Sequence, residues 1–136
     1  MLYTVTAYNQ DGLEGVVHLS SGNEILTSSP MNQNSGFNPE ELLATSWSTC
    51  LHATLRVVLQ EKKLESHLSK VDVTTSLLQE KDKKGFYFQV EAVVSIKGLA
   101  ILEAEPIIAQ AHSRCPVSKL LQKSPTIRLK VVEWTD

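Results

Sequence analysis

The alternation of apolar and polar positions divides the chain into a strand-rich start, a long helix, a long hairpin and a helical finish. Runs rich in β-branched and aromatic residues at 2–8, 13–19 and 24–28 are separated by Asn9-Gln10-Asp11-Gly12 and Ser20-Ser21-Gly22-Asn23. This is the pattern of a three-strand meander. Positions 29–37 are polar, contain Pro30 and Gly36, and read as a loop. A helix start follows: Asn38 is a capping residue, Pro39 suits the first helical position, and Glu41 stands three residues after the cap. From there Leu43, Trp47, Leu51, Leu55 and Val58 make one apolar stripe at helical spacing, and Ser46, Cys50, Ala53 and Val57 a second stripe of smaller residues. A helix apolar over so much of its circumference is expected to be buried centrally. It should end in the charged run Glu61-Lys62-Lys63.

Beyond that run, 68–78 alternates through Val71, Val73, Thr75 and Leu77, and 86–96 through Phe86, Phe88, Val90, Ala92, Val94 and Ile96, with a polar stretch between. The pattern predicts a long hairpin with one buried face. Residues 102–113 read as a helix with Pro106 in its first turn, Cys115-Pro116 opens a short second helix through Leu121, and 127–134 reads as a closing strand. No repeat or linker divides the chain, so a single domain, 1–136, is expected.

Composition narrows the classes of function. At 136 residues, 42% hydrophobic and 21% charged, the chain can bury roughly two-thirds of the surface its unfolded form exposes, without metals or disulfides as staples. A net charge of −2 with scattered lysines argues against nucleic acid as partner. Residues 1–6 lack a basic segment followed by an apolar run, so no secretory leader is expected and the cytoplasm is the expected location. The most apolar stretch, 42–59, includes Ser46, Ser48, Thr49, His52, Thr54 and Arg56, which suits a buried helix and not a membrane span. His18, His52, His67 and His112 are scattered, and no Cys/His spacing matches a structural zinc site. No glycine-rich phosphate loop or Gly-x-Ser-x-Gly elbow is present, and no cofactor is expected.

The two cysteines, Cys50 and Cys115, are not expected to form a permanent bridge in a reducing compartment. A lone cysteine on a buried stripe is more often a small core residue than a reactive group, and Cys50 on its own reads that way. Cys115 precedes Pro116, which puts its sulfur at a helix start, where amide donors favour a thiolate. It reads equally well as an ordinary cap.

Two segments change the balance. The run Asn38-Pro39-Glu40-Glu41-Leu42-Leu43-Ala44 leading to Cys50, and Ala111-His112-Ser113-Arg114-Cys115-Pro116-Val117-Ser118-Lys119, resemble in order the paired signature of the organic hydroperoxide resistance / osmotically inducible protein C (Ohr/OsmC) family. The resemblance covers nearly the whole chain. It implies an α+β fold built as an intertwined homodimer, with an N-terminal strand meander, a long buried central helix, a long β-hairpin, two shorter helices and a C-terminal strand. It also implies a thiol peroxidase acting on organic hydroperoxides, with Cys50 attacking the peroxide, Cys115 resolving the sulfenic acid as a disulfide, and a dithiol reductant such as a lipoylated protein returning electrons. An apolar pocket near Cys50 that includes Trp47 would suit such substrates. Family members activate the attacking cysteine with an arginine held by a glutamate at the start of its helix, the place Glu40 occupies. The arginine itself is missing: Gln10 stands at one of the family's two positions for it, and the loop that carries the other has none. Arg56 is about 240° around the helix from Cys50. Arg114, beside Cys115, is the candidate substitute cation, with Gln10 as a neutral alternative. The competing reading is a non-catalytic or redox-sensing dimer of the same fold that binds a small hydrophobic ligand.

Overall fold

The computed structural model describes residues 1–32 and 35–136 of the chain, so Gln33 and Asn34, in the loop expected over 29–37, lie outside the described residues. The fold is α+β, with two three-stranded sheets and three helices among the described residues. It divides into two compact units, Met1–Leu42 and Leu43–Asp136.

The first unit carries the expected antiparallel meander, β1 (Ala7–Tyr8), β2 (Gly15–Leu19) and β3 (Glu24–Thr27). Its first turn is closed by Asn9, whose Oδ1 accepts the N–H groups of Asp11 and Gly12 at 3.0 and 2.8 Å. Gly12, at φ 75°, supplies the left-handed geometry that a side chain would resist. The strand expected over 2–8 shrinks to two residues because β2 ends at Leu19, opposite Ala7. Leu2 and Tyr3 have no strand to pair with in this sheet and are exposed.

Helix α1 (Pro39–Glu61) starts where expected. Asn38 Oδ1 accepts the Glu41 N–H at 2.8 Å, and Glu41 Oε1 accepts the Asn38 N–H at 3.1 Å, a reciprocal cap that satisfies two otherwise unpaired donors. The helix stops where Lys63 turns left-handed at φ 59° and the Leu64 N–H reaches back to the Leu59 carbonyl at 2.8 Å.

In the second unit, β4 (Ser69–Gln79) and β5 (Phe86–Ile96) form an antiparallel hairpin in which Val71 faces Val94, Val73 faces Ala92 and Thr75 faces Val90. The chain then crosses over through α2 (Ile101–Arg114) and α3 (Pro116–Leu121) to β6 (Ile127–Val131), which pairs parallel to β5. Such a pairing needs a long crossover, and the two short helices provide it. The core takes Trp47, Leu51, Leu55, Val58 and Leu59 from α1, Val90, Ala92, Val94 and Ile96 from β5, and Ala104, Ile107, Ile108 and Ala111 from α2. Each large apolar side chain so enclosed contributes about 1.5–3 kcal/mol.

Two further expectations need correction. Pro106 lies in the second turn of α2, because the helix begins at Ile101. Its missing N–H leaves the Leu102 carbonyl without its helical donor, on the exposed side of the helix where Leu102 itself is 83% exposed. The final strand stops at Val131 instead of Trp134. After the Val132 N–H bonds to the Val94 carbonyl, Trp134 folds into a local cluster, its Nε1 donating to Asp136 at 2.7 Å with the Lys70 ammonium over its ring. On α1, the stripe of small residues is not buried within this chain: Ser46, Ala53 and Val57 are exposed and Cys50 is half-buried.

Candidate active site

Cys50 stands in the middle of α1, and Cys115 is the single residue between α2 and α3. Both are free thiols, and Cys115 is completely enclosed. The fold packs both against the same core, and Cys115 is among the groups that act on the Cys50 thiol.

The first turn of α3 supplies donors to both sulfurs. Cys115 caps α3, its Sγ accepting the Ser118 N–H at 3.4 Å, while the backbone N–H of Val117 acts on Cys50. Opposing influences set the acidity of Cys50. Burial pushes its thiol up, the Val117 N–H favours the thiolate and draws it down, and the neighbouring Cys115 pushes it up again, leaving it above the ordinary thiol range. Among the described residues of this single chain, no side-chain cation is among the groups that act on it.

Arg114, the candidate cation of the sequence, takes a different partner. Its Nη1 and Nη2 donate to the two carboxylate oxygens of Glu61 at 2.8 and 3.1 Å, at the far end of α1. That forked pair raises the guanidinium's pKa and lowers the carboxyl's. Its place in the chain, next to Cys115, suggested proximity, but the end of α2 turns it toward the exposed Glu61. Glu40 is half-buried in the first turn of α1. Gln10 lies in the β1–β2 turn, its Oε1 accepting the Tyr8 hydroxyl at 2.7 Å.

Trp47 does not line an opening beside Cys50. It is fully enclosed, and its Nε1 donates to Ser118 Oγ at 2.8 Å. His112 packs near it, with ring centroids 6.4 Å apart. Burial holds the His112 imidazole below the ordinary histidine range, and its Nδ1 is enclosed with no hydrogen-bond partner among the described residues. A groove of about 790 Å³ lies elsewhere, lined by His52, Arg56, Gln60, Glu65 and His67 among others, and Cys50 does not line it. Sequence reasoning missed Val117 and Ser118 as neighbours of the thiols. The signal was present in the cap: a residue three positions after Cys115 must present its N–H to the Cys115 side chain. Nothing local announced Glu61, which meets Arg114 from 53 residues away.

An α+β chain that packs two free cysteines, distant in sequence, against one core, with Cys115 at the start of a short helix and acting on Cys50, has the build of a dithiol protein. The chain belongs to the OsmC-like protein family, whose pattern matches residues 32–130. It is 27% identical over 135 residues to organic hydroperoxide resistance protein-like 2 of Staphylococcus epidermidis, covering 96% of this chain and 95% of that one. The crystal structure of the organic hydroperoxide resistance protein OhrB of Bacillus subtilis matches with a TM-score of 0.84 at 25% identity, covering 98% of this chain and 100% of that one. A crystal structure of a protein from Lactobacillus casei matches with a TM-score of 0.89 at 39% identity, over 100% of this chain and 94% of that one. Among the described residues, no helix is long and apolar enough to cross a membrane.

Proposed function

We propose that this protein is a two-cysteine thiol peroxidase that reduces organic hydroperoxides to alcohols. The Cys50 thiolate attacks the outer peroxide oxygen, the O–O bond breaks, and the alkoxide leaves and takes a proton as the alcohol. Cys50 is then a sulfenic acid. The Cys115 thiol attacks that sulfur, water leaves, and a Cys50–Cys115 disulfide forms before further oxidation can occur. An external dithiol, a lipoylated protein by family resemblance, reopens the bridge and is itself oxidised. The observation that carries this reading is a pair of free thiols, of which Cys115 caps α3 and acts on Cys50, in a chain whose relatives are named for organic hydroperoxide resistance.

The working form in this reading is a cytoplasmic homodimer. The exposed small-residue stripe of α1, with Val57 at 45% exposure, supports it as a surface suited to a second copy. By family resemblance Glu40 stands where an orienting glutamate is expected, and Gln10 at one of the positions for the activating group, as a neutral donor in place of a cation.

A second reading, a redox-sensing or ligand-binding dimer without turnover, is favoured by one observation: the Cys50 thiol is pushed up and not down, and a thiolate is the form that attacks peroxide. Mixing the reduced protein with equimolar cumene hydroperoxide and counting free thiols separates the two. Rapid loss of both thiols, abolished by Cys50→Ser, supports the peroxidase. Thiols that survive the peroxide rule it out and leave the second reading.

A further inference from the structure

A six-residue helix cannot hold itself in place. Isolated helices are marginal even at more than twice that length, so the direction in which the first turn of α3 presents its N–H groups must come from what α3 is fastened to. Val117 and Leu121 pack partly buried against the core, while Lys119 and Leu120 face solvent. A buried side-chain hydrogen bond fastens it to α1. Ser118 is fully enclosed, Trp47 is fully enclosed, and the indole Nε1–H of α1 donates to the Ser118 hydroxyl at 2.8 Å across 71 residues of sequence. Ser118 also gives its backbone N–H to Cys115 Sγ at 3.4 Å, and the next residue toward the N-terminus, Val117, is the one whose N–H acts on Cys50. One buried serine thus touches the helix that carries Cys50, caps through Cys115, and neighbours the amide that faces Cys50.

We propose that Trp47 and Ser118 form a buried tether that fixes the first turn of α3 against α1, aiming the Val117 N–H at the Cys50 sulfur, so that both are positioning residues for the thiol chemistry. This deepens the peroxidase reading and rests on it for its biological meaning. Its test does not, because thiol acidity is measured without peroxide.

The tether makes a prediction that packing alone does not. Trp47→Phe and Ser118→Ala each break the same bond, and each leaves one buried polar group unpaired, so both should lower the melting temperature. The double variant removes both partners and leaves no orphan, so it should be more stable than the two single losses added together, keeping only the cost of the volume lost at Trp47. The aim of α3 should not recover, because the bond is still absent. Cys50 alkylation by iodoacetamide is followed against pH in a Cys115→Ser background, which keeps an oxygen acceptor at the α3 cap. Both single variants and the double should move the alkylation midpoint upward together and slow the reaction at neutral pH by roughly threefold or more, the change that half a pKa unit gives. A midpoint unchanged in Ser118→Ala despite lowered stability would reduce the pair to packing and overturn the proposal, as would a double variant that regains wild-type acidity. Failure of the peroxidase reading would look different: hydroperoxide would leave wild-type thiols intact while the alkylation profiles still shifted as described.

Discussion

Replacing Arg114 with glutamine is expected to leave Cys50 almost as reactive as before. The guanidinium is anchored by two hydrogen bonds to Glu61, and Glu61 lies eleven residues beyond Cys50 on α1, about 16 Å of helix at a rise of ~1.5 Å per residue. At physiological salt the screening length is about 8 Å, so a charge at that range acts across roughly two screening lengths through largely aqueous surroundings. The paired carboxylate cancels much of what remains. The combined effect on the thiolate population at neutral pH is less than about twofold. The assay is iodoacetamide alkylation against pH in the Cys115→Ser protein, where Cys50 is the single thiol. Arg114→Gln and Glu61→Gln should both track their parent within that factor. A slowing of about tenfold or more in Arg114→Gln would mean that the guanidinium leaves Glu61 to serve Cys50, and the geometric argument would fail.

Other outcomes follow from the same structure. Gln10→Arg is expected to accelerate peroxide-driven thiol loss, by about tenfold for each unit by which the Cys50 pKa falls, and Glu40→Gln in that background should reverse the gain; rapid-mixing thiol counts with no acceleration would remove Gln10 from the site. Because burial depresses the His112 pKa, the unfolded chain binds that proton more readily than the fold. The associated stability is complete above about pH 6.5 and declines as pH falls through the lower folded value. His112→Phe, which also deletes the unpartnered Nδ1, should flatten that acid-side decline in denaturant titrations, and an unchanged slope would sink the assignment. Leu55→Ala, at a fully enclosed position, should cost about 2–5 kcal/mol; a loss below about 1 kcal/mol in urea unfolding would show that α1 does not form the core described.

What the sequence made legible was local or strictly periodic. The Asn38–Glu41 cap is written within four residues, and β5 matches its expected limits of Phe86 and Ile96, its alternation enclosed at Val90, Ala92, Val94 and Ile96. The elements that went astray depend on partners. Residues 2–6 have strand-forming side chains, but an extended segment becomes a strand only beside another, and β2 ends too soon. Trp134 fits a strand by propensity and is drawn instead to Lys70 and Asp136. At the site, the two cysteines could be singled out by motif, and Cys115 by its proline. The fates of Arg114 and Trp47 were set by Glu61 and Ser118, 53 and 71 residues distant, and no local rule reaches that far.

The placement of the sulfurs has a mechanical consequence. Cys50 is embedded in a 23-residue helix with hydrogen-bonded turns on both sides, so displacing it means unwinding a rod. Cys115 is a one-residue joint, extended at φ −68° and ψ 122° between two short rods. Any cycle that draws the sulfurs together and parts them is therefore lopsided, with one acting as a fixed anvil and the other as the travelling hammer.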